Sequence, residues 1–328
     1  MNLKLKTIGL ALAAGLTAVA AQATELKLAD FQPATHPYVE KVYAPFADEI
    51  AAATNGDVTV TVFMGGELGP GPAEQYNRAV NGVADIAFSL PGYTAANFPK
   101  TLLTELPGVI DADTGTEKVL ANIDMLSGEY RRVALLGLWN NAPNLLLMAE
   151  KPVRSLDELA GLKIRVPSRN AGLIVEAWGA TPVSMPAPEI YNSMQTGVID
   201  GAMIDATTLR TFKLAEVTKY VVEGMNPTVS SFFLVMNRDS FADLSDEAQA
   251  AVLEAGKKAS KAANAVQLGG AAANLEAFAA TEGKEVITLS PEEAAKFDAA
   301  SDEVTKAVLA EADAEGLEAT AYVEALQK

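Results

Sequence analysis

Few side chains in this sequence are equipped for chemistry, and the most distinctive is Arg165, which ends a short apolar run ahead of Pro167. A planar guanidinium offers a fork of donors matched to a carboxylate and stays charged at any physiological pH. An arginine at a strand end can equally be half of an internal ion pair, and this acidic chain supplies many partners. Asn140, Asn141 and Asn144 cluster after another apolar run, suited either to hydrogen-bonding a ligand or to forming turns. Asp205 can orient a guanidinium, accept a ligand hydroxyl or serve a turn. Ser89 and Tyr93 flank Pro91-Gly92. His36, before Pro37, belongs either to a cleft or to a helix start.

Catalytic patterns are missing from this inventory. There is no Gly-x-Ser-x-Gly elbow, and a Ser-His-Asp relay would depend on His36, the one histidine. Gly65–Gly71 lacks the Gly-Lys-Ser/Thr ending that cradles phosphate and reads as a turn. Asp111-Ala-Asp113 lacks the remaining ligands of a calcium loop. With no cysteine, a disulfide scaffold, a thiolate zinc site, an iron–sulfur cluster and a cysteine nucleophile are excluded. No metal or cofactor is expected. With 42 acidic against 25 basic residues, a net charge of -17 argues against nucleic acid and anionic membranes as partners.

The elements that must position these residues follow from periodicity. A length of 328 residues at 49% hydrophobic content predicts a folded chain of two domains. Residues 1–23 read as a signal peptide: Lys4 and Lys6, then an apolar stretch, then Ala21-Gln22-Ala23 as the cleavage site, giving export to the periplasm. Strands are predicted at 26–30, 58–63, 84–89, 133–138, 145–149, 162–166 and 199–204. Helices are predicted over 38–53, after the capping boxes at Ser155 and Ser290, and over 245–280 as one or two segments. Strands alternating with helices predict an α/β class with largely parallel sheets. Gly82-Val-Ala-Asp85 and Gly197-Val-Ile-Asp200 echo each other, and each is preceded by a Leu-Lys-aliphatic strand, which suggests two similar lobes. Ligands then belong at the carboxyl ends of the strands, across a cleft.

Several motifs, in order, resemble the solute-binding proteins of TRAP transporters, the DctP family. They are Gly161-Leu-Lys-Ile-Arg165-Val-Pro167, Gly179-Ala-Thr-Pro182, Glu189-Ile-Tyr191 and Gln195-Thr-Gly-Val-Ile-Asp-Gly201, joined by Gly66-Glu-Leu-Gly69, Asn97-Phe-Pro99 and Phe212-Lys-Leu-Ala-Glu216. The resemblance implies a two-lobed periplasmic binding protein of type II-like α/β fold, its hinge-connected lobes closing on an organic acid. It implies delivery to small and large membrane subunits, a monomer, and no catalysis. The lobes are expected at 24–143 with about 231–269, and at 144–230 with about 270–328.

The same resemblance makes Arg165 the partner of the ligand carboxylate. Sialic-acid-binding members carry a second arginine near the place of Leu145, so that ligand is not expected. The Gln-Glu-Asn-Pro of many members is replaced after Asp200-Gly201 by Ala202–Asp205, which brings Ile204 and Asp205 to the cleft. Phe31 replaces a polar residue of the early loop, and Tyr93 and Trp139 stand on other cleft loops. Such walls around one arginine suggest a monocarboxylate with an aromatic or branched apolar body. For Phe31 and Trp139 a core position is the alternative, and for the whole chain an exported enzyme with a similar cleft.

Overall fold

The computed structural model describes residues 23–328, so the predicted leader, apart from Ala23, lies outside the described residues. Among the described residues eleven strands are formed: β1 (Thr24–Ala29), β2 (Val58–Phe63), β3 (Ile86–Ser89), β4 (Val133–Asn140), β5 (Asn144–Met148), β6 (Lys163–Val166), β7 (Thr181–Ser184), β8 (Gly201–Asp205), β9 (Tyr220–Glu223), β10 (Ser231–Asn237) and β11 (Glu285–Thr288). They make two sheets, ordered β2-β1-β3-β10-β4 and β11-β9-β5-β8-β6-β7, one in each of two lobes. Strands β3, β8 and β10 are buried along their whole length, and they are short runs without alternation, as expected of strands covered on both faces.

The sheets are mixed rather than largely parallel. Strand β10 runs antiparallel to β3 and β4, and β5 runs antiparallel to β8 and β9. The reason is the chain path. It passes from β4 directly to β5 and from β9 to β10, changing sheets each time, and a strand arriving from the other lobe needs no crossover helix. Four strands were not predicted: the edge strands β7 and β11, and the internal strands β9 and β10; β7 carries Pro182, which a sheet tolerates at its edge.

The internal echo is a structural repeat. Asp85 accepts a hydrogen bond from Lys27 N–H at 2.8 Å, and Asp200 accepts one from Lys163 N–H at 2.9 Å. In each lobe this pins the helix-to-strand turn against the neighbouring strand. Gly82 and Gly197 supply the left-handed turn residue, at φ of 69° and 74°.

Helix ends follow their caps. Ser290 Oγ accepts from Glu293 N–H at 3.2 Å ahead of the helix Pro291–Ala314, and Ser245 Oγ accepts from Ala248 N–H at 3.2 Å. That second cap opens a single helix of 34 residues, Asp246–Ala279. The expected helix over 38–53 begins as π-helical turns at Val39–Tyr43 and continues as Ala44–Ala53. Ser155 precedes only one helical turn, Leu156–Leu159, and its hydroxyl caps nothing. The long helix lies on β4, where a Cβ on Gly256 would stand 2.2 Å from Leu136 O. Val252, Ala255, Ala259 and Ala263 pack into the core of the first lobe, and Leu275 and Phe278 into a core of the second.

Candidate ligand-binding site

The carboxyl ends of the parallel strands of both lobes converge on a narrow cavity of about 30 Å³ between the lobes. The first lobe contributes Phe31, Gln32 and His36 after β1 and Leu90 and Tyr93 after β3. The second contributes Arg165 from β6, Ala187 after β7, and Ile204 and Asp205 from β8. Asn141 and Ser230 come from the two segments that cross between lobes, and Gln267 from the long helix. The loop after β2 does not reach the cavity. Its Gly65 and Gly66 N–H groups instead bond Gln32 O and Asp30 O, which fixes the path of the β1 loop.

Arg165 is 1% exposed. Its Nε donates to Met185 O at 2.9 Å, Nη1 to Met203 O at 3.3 Å and Nη2 to the Tyr93 hydroxyl at 3.4 Å. All three acceptors are neutral, and among the described residues no carboxylate lies within ion-pair distance of it. That disposes of the internal ion pair. One hydrogen on each terminal nitrogen is left over, the arrangement that meets a carboxylate edge-on. Burial lowers the guanidinium's affinity for its proton, opposed by Tyr93 and by the fields of Asp205 and Glu105.

Asp205 makes no hydrogen bond to this arginine. Its carboxylate accepts from Thr207 N–H at 2.9 Å, from the Thr207 hydroxyl, and from Asn141 Nδ2 at 2.9 Å. Burial raises its pKa against these bonds. Asn141 is fully engaged: Nδ2 also donates to Asn144 Oδ1 at 2.9 Å, and Oδ1 accepts Ser230 N–H at 2.7 Å. Asn144 Nδ2 in turn bonds the hydroxyls of Thr228 and Ser230 at 3.0 and 3.3 Å. The asparagines therefore tie the two crossing segments together.

The lobes meet closely beside the cavity. The Tyr93 hydroxyl accepts from Ala187 N–H at 2.9 Å, and Asn170 Nδ2 donates to Leu102 O at 2.9 Å. Ser168 Oγ donates to Glu105 at 2.5 Å, and the other Glu105 oxygen accepts Ser231 N–H at 3.3 Å. Burial pushes the Glu105 carboxyl up to about 7. A Cβ on Gly92 would stand 2.8 Å from Ser168 Cβ.

Of the residues singled out by sequence, Arg165, Asp205, Phe31, Tyr93, Asn141, Ile204 and His36 line the cavity. Three do not. Ser89 turns its hydroxyl to Pro72 O at 3.0 Å. Trp139 is a core residue, stacked on Phe88 at 5.6 Å with its indole N–H on the Tyr38 hydroxyl. Asn144 supports Asn141 from behind. Sequence reasoning passed over Gln32, Phe212, Ser230, Phe232 and Gln267. Only Gln32, next to Phe31, carried a positional hint, whereas Gln267 sits in an Ala-rich helix without any local sign.

Two lobes joined by crossing strands and closed over one buried, unpaired cation define a solute-binding protein. The family model matches from Leu28 to Ala312, nearly the whole described chain, and the chain belongs to that family: DctP, bacterial extracellular solute-binding protein, family 7. Its members are transport solute-binding proteins that bind small molecules and work with membrane subunits, and they are not enzymes. An ectoine/5-hydroxyectoine-binding periplasmic protein, UehA of Ruegeria pomeroyi, is 31% identical over 75% of this chain and 73% of its own length. An uncharacterized protein of Salmonella typhimurium, YiiZ, is 28% identical over 65% of this chain and 66% of its own length.

Among solved structures, a marine metagenome TRAP solute-binding protein specific for aromatic acids, in complex with 3-hydroxybenzoate, superposes with a TM-score of 0.86 at 27% identity, covering 93% of this chain and 97% of that one. A Bordetella bronchiseptica TRAP protein with bound mandelate gives 0.82 at 26% identity, covering 92% and 97%. No helix among the described residues is long and apolar enough to cross a membrane.

Proposed function

We propose that this chain is the exported, monomeric binding component of a TRAP transporter and that it captures an organic monocarboxylate in the cleft between its lobes, with Arg165 as the carboxylate's partner. The observation that carries this is a fully buried guanidinium whose protein partners are all neutral oxygens. Buried charges are paired, and an anionic solute completes the pair. The leader over 1–23 delivers the chain to the periplasm, with cleavage after Ala23. Sheet membership supports lobes of 24–143 with about 231–269 and 144–230 with about 270–328. Phe31, Tyr93, Ile204, Phe212 and Phe232 supply apolar walls suited to an aromatic or branched body, and His36 and Asp205 fill polar corners of the same cavity. The aromatic-acid ligands of the marine metagenome and Bordetella proteins support that class.

The test is a thermal shift of the mature protein against aromatic acids, branched aliphatic acids, ectoine and uronates, run in parallel on Arg165→Ala. At about 100 times its Kd, a true ligand adds roughly 2.7 kcal/mol of stability. Losing a buried carboxylate contact costs about 3–5 kcal/mol, which abolishes that gain in the variant. An acid that stabilises both proteins equally refutes the assignment of Arg165.

A further inference from the structure

The first lobe's wall of the cavity holds a polar relay that the carboxylate contact does not use. Trp139 Nε1 donates to the buried Tyr38 hydroxyl at 2.9 Å, and the Gln267 amide lies 2.9 Å from the same hydroxyl. The Gln32 amide lies 3.2 Å from His36 Nε2. Both glutamines are buried, both line the cavity, and in each the amide atom turned away from its partner, placed as Oε1, has no hydrogen-bond partner. Two such groups on one wall are unusual, because buried polar atoms are ordinarily paired.

Proton counting orients both amides. Burial holds the His36 imidazole neutral, so it carries one N–H. Nδ1 accepts Tyr38 N–H at 3.2 Å, which places the ring proton on Nε2. A donor there requires the Gln32 carbonyl oxygen opposite it and turns the NH2 group to the unpartnered side. Gln267 is placed with Nε2 on the Tyr38 hydroxyl, which would then accept twice, from the amide and from the indole, and have no acceptor for its own proton; exchanging the oxygen and nitrogen of the Gln267 amide supplies one. That again leaves an NH2 group without an acceptor.

We propose that Gln32 and Gln267 form a second, uncharged subsite whose amide N–H groups grip a neutral oxygen on the solute, away from its carboxylate. The preferred solute is then a hydroxy- or oxo-substituted monocarboxylic acid rather than the unsubstituted acid. This rests on the carboxylate reading of Arg165. A second carboxylate does not suit the subsite: Arg165 is the one arginine or lysine lining the cavity among the described residues, and Asp205 lines it too. A hydroxyl or carbonyl oxygen accepts both N–H groups with no further charge.

The experiment is calorimetric titration of the mature protein with benzoate and its monohydroxylated isomers, and with isocaproate and its hydroxy and oxo derivatives. The proteins are wild type, Gln267→Met, Gln267→Glu and Arg165→Ala. Gln267→Glu keeps an oxygen for Tyr38 and removes the NH2 group, so it reports on the subsite even where Gln267→Met disturbs folding. At least one substituted acid is expected to bind wild type roughly tenfold or more tighter than its parent. Both Gln267 variants are expected to erase that preference, weakening the substituted acid roughly tenfold or more relative to its parent. Equal wild-type affinities for parent and substituted acids, or Gln267 variants that keep the wild-type preference between them, overturn the subsite while the role of Arg165 stands. If no acid binds, or Arg165→Ala binds as wild type does, the carboxylate reading falls and the subsite falls with it.

Discussion

Gly92 offers a way to perturb closure without touching the solute. It stands at the first lobe's edge of the cleft, and a Cβ added there would lie 2.8 Å from Ser168 Cβ and 2.9 Å from Pro167 O, both in the second lobe. Carbon atoms in contact normally sit about 3.5–4.0 Å apart, so the methyl group of Gly92→Ala is short of room by roughly 1 Å. Gly92 is not in the left-handed region, so its backbone accepts alanine and the clash alone is tested. Overpacking of this size costs about 1–3 kcal/mol, and the cost falls on the closed form because the two contact atoms separate when the cleft opens. Solute affinity should drop roughly 5- to 150-fold by calorimetry, with the ligand-free melting temperature unchanged. Gly128→Ala, whose Cβ would meet nothing within 4 Å, serves as the neutral control. A Gly92→Ala protein that binds as wild type shows that the lobes do not approach this closely around the solute. One whose ligand-free form melts lower by the same free energy shows that Gly92 is ordinary packing.

Other expectations are independent of that one. The Glu105 carboxyl rises from 4.5 to about 7 because it is buried. A carboxyl raised on folding stabilises the folded form while protonated, fully below pH 4.5, and the contribution is lost as pH climbs through about 7, on the order of 3 kcal/mol. Glu105→Gln should flatten the fall in urea-unfolding stability across that window, leaving the part due to Asp30, which burial also pushes up to about 7; an unaltered slope counts against the assignment. Gly256→Ala should destabilise by about 1–3 kcal/mol in urea despite its better helix propensity, because its Cβ would press on Leu136 O. Asn144→Ala should lower stability by about 1–3 kcal/mol and weaken solute binding, although it does not line the cavity, by releasing Asn141; unchanged binding would leave it only a structural role.

What the sequence revealed of the site came from local signals. Strand-end residues such as Arg165, Tyr93 and Ile204 stand beside recognisable turns, so their place at the cleft follows from the strand before them. Trp139 and Ser89 have the same signal, yet their side chains face the core and Pro72, because alternation along a strand sends neighbours to opposite faces. Gln267 and Phe232 reach the cavity through long-range topology: one from a helix, the other from a strand that enters the first sheet after the chain has left the second. No spacing in the sequence encodes that return. Lobe symmetry was legible because it is written in short repeated turns, while mixed sheet direction was not, since it depends on where the chain crosses.

The helix Asp246–Ala279 also governs the mechanics of closing. Its 34 residues make a rod about 50 Å long, anchored in one lobe through Val252 to Ala263 and in the other through Leu275 and Phe278. A rod fixed at both ends resists rotation of the lobes except where it can bend. Gly269-Gly270 lies between the anchors, and paired glycines are where helices yield. A Cβ on Gly269 would meet nothing, and one on Gly270 only Thr207 Cγ2 at 3.5 Å, so neither glycine is there to make room. The pair is therefore the stretch of the rod with the least side-chain packing to hold it straight. It lies just after Gln267, so a bend there would move one wall of the cavity, and the angle between the lobes and the shape of that wall would change together.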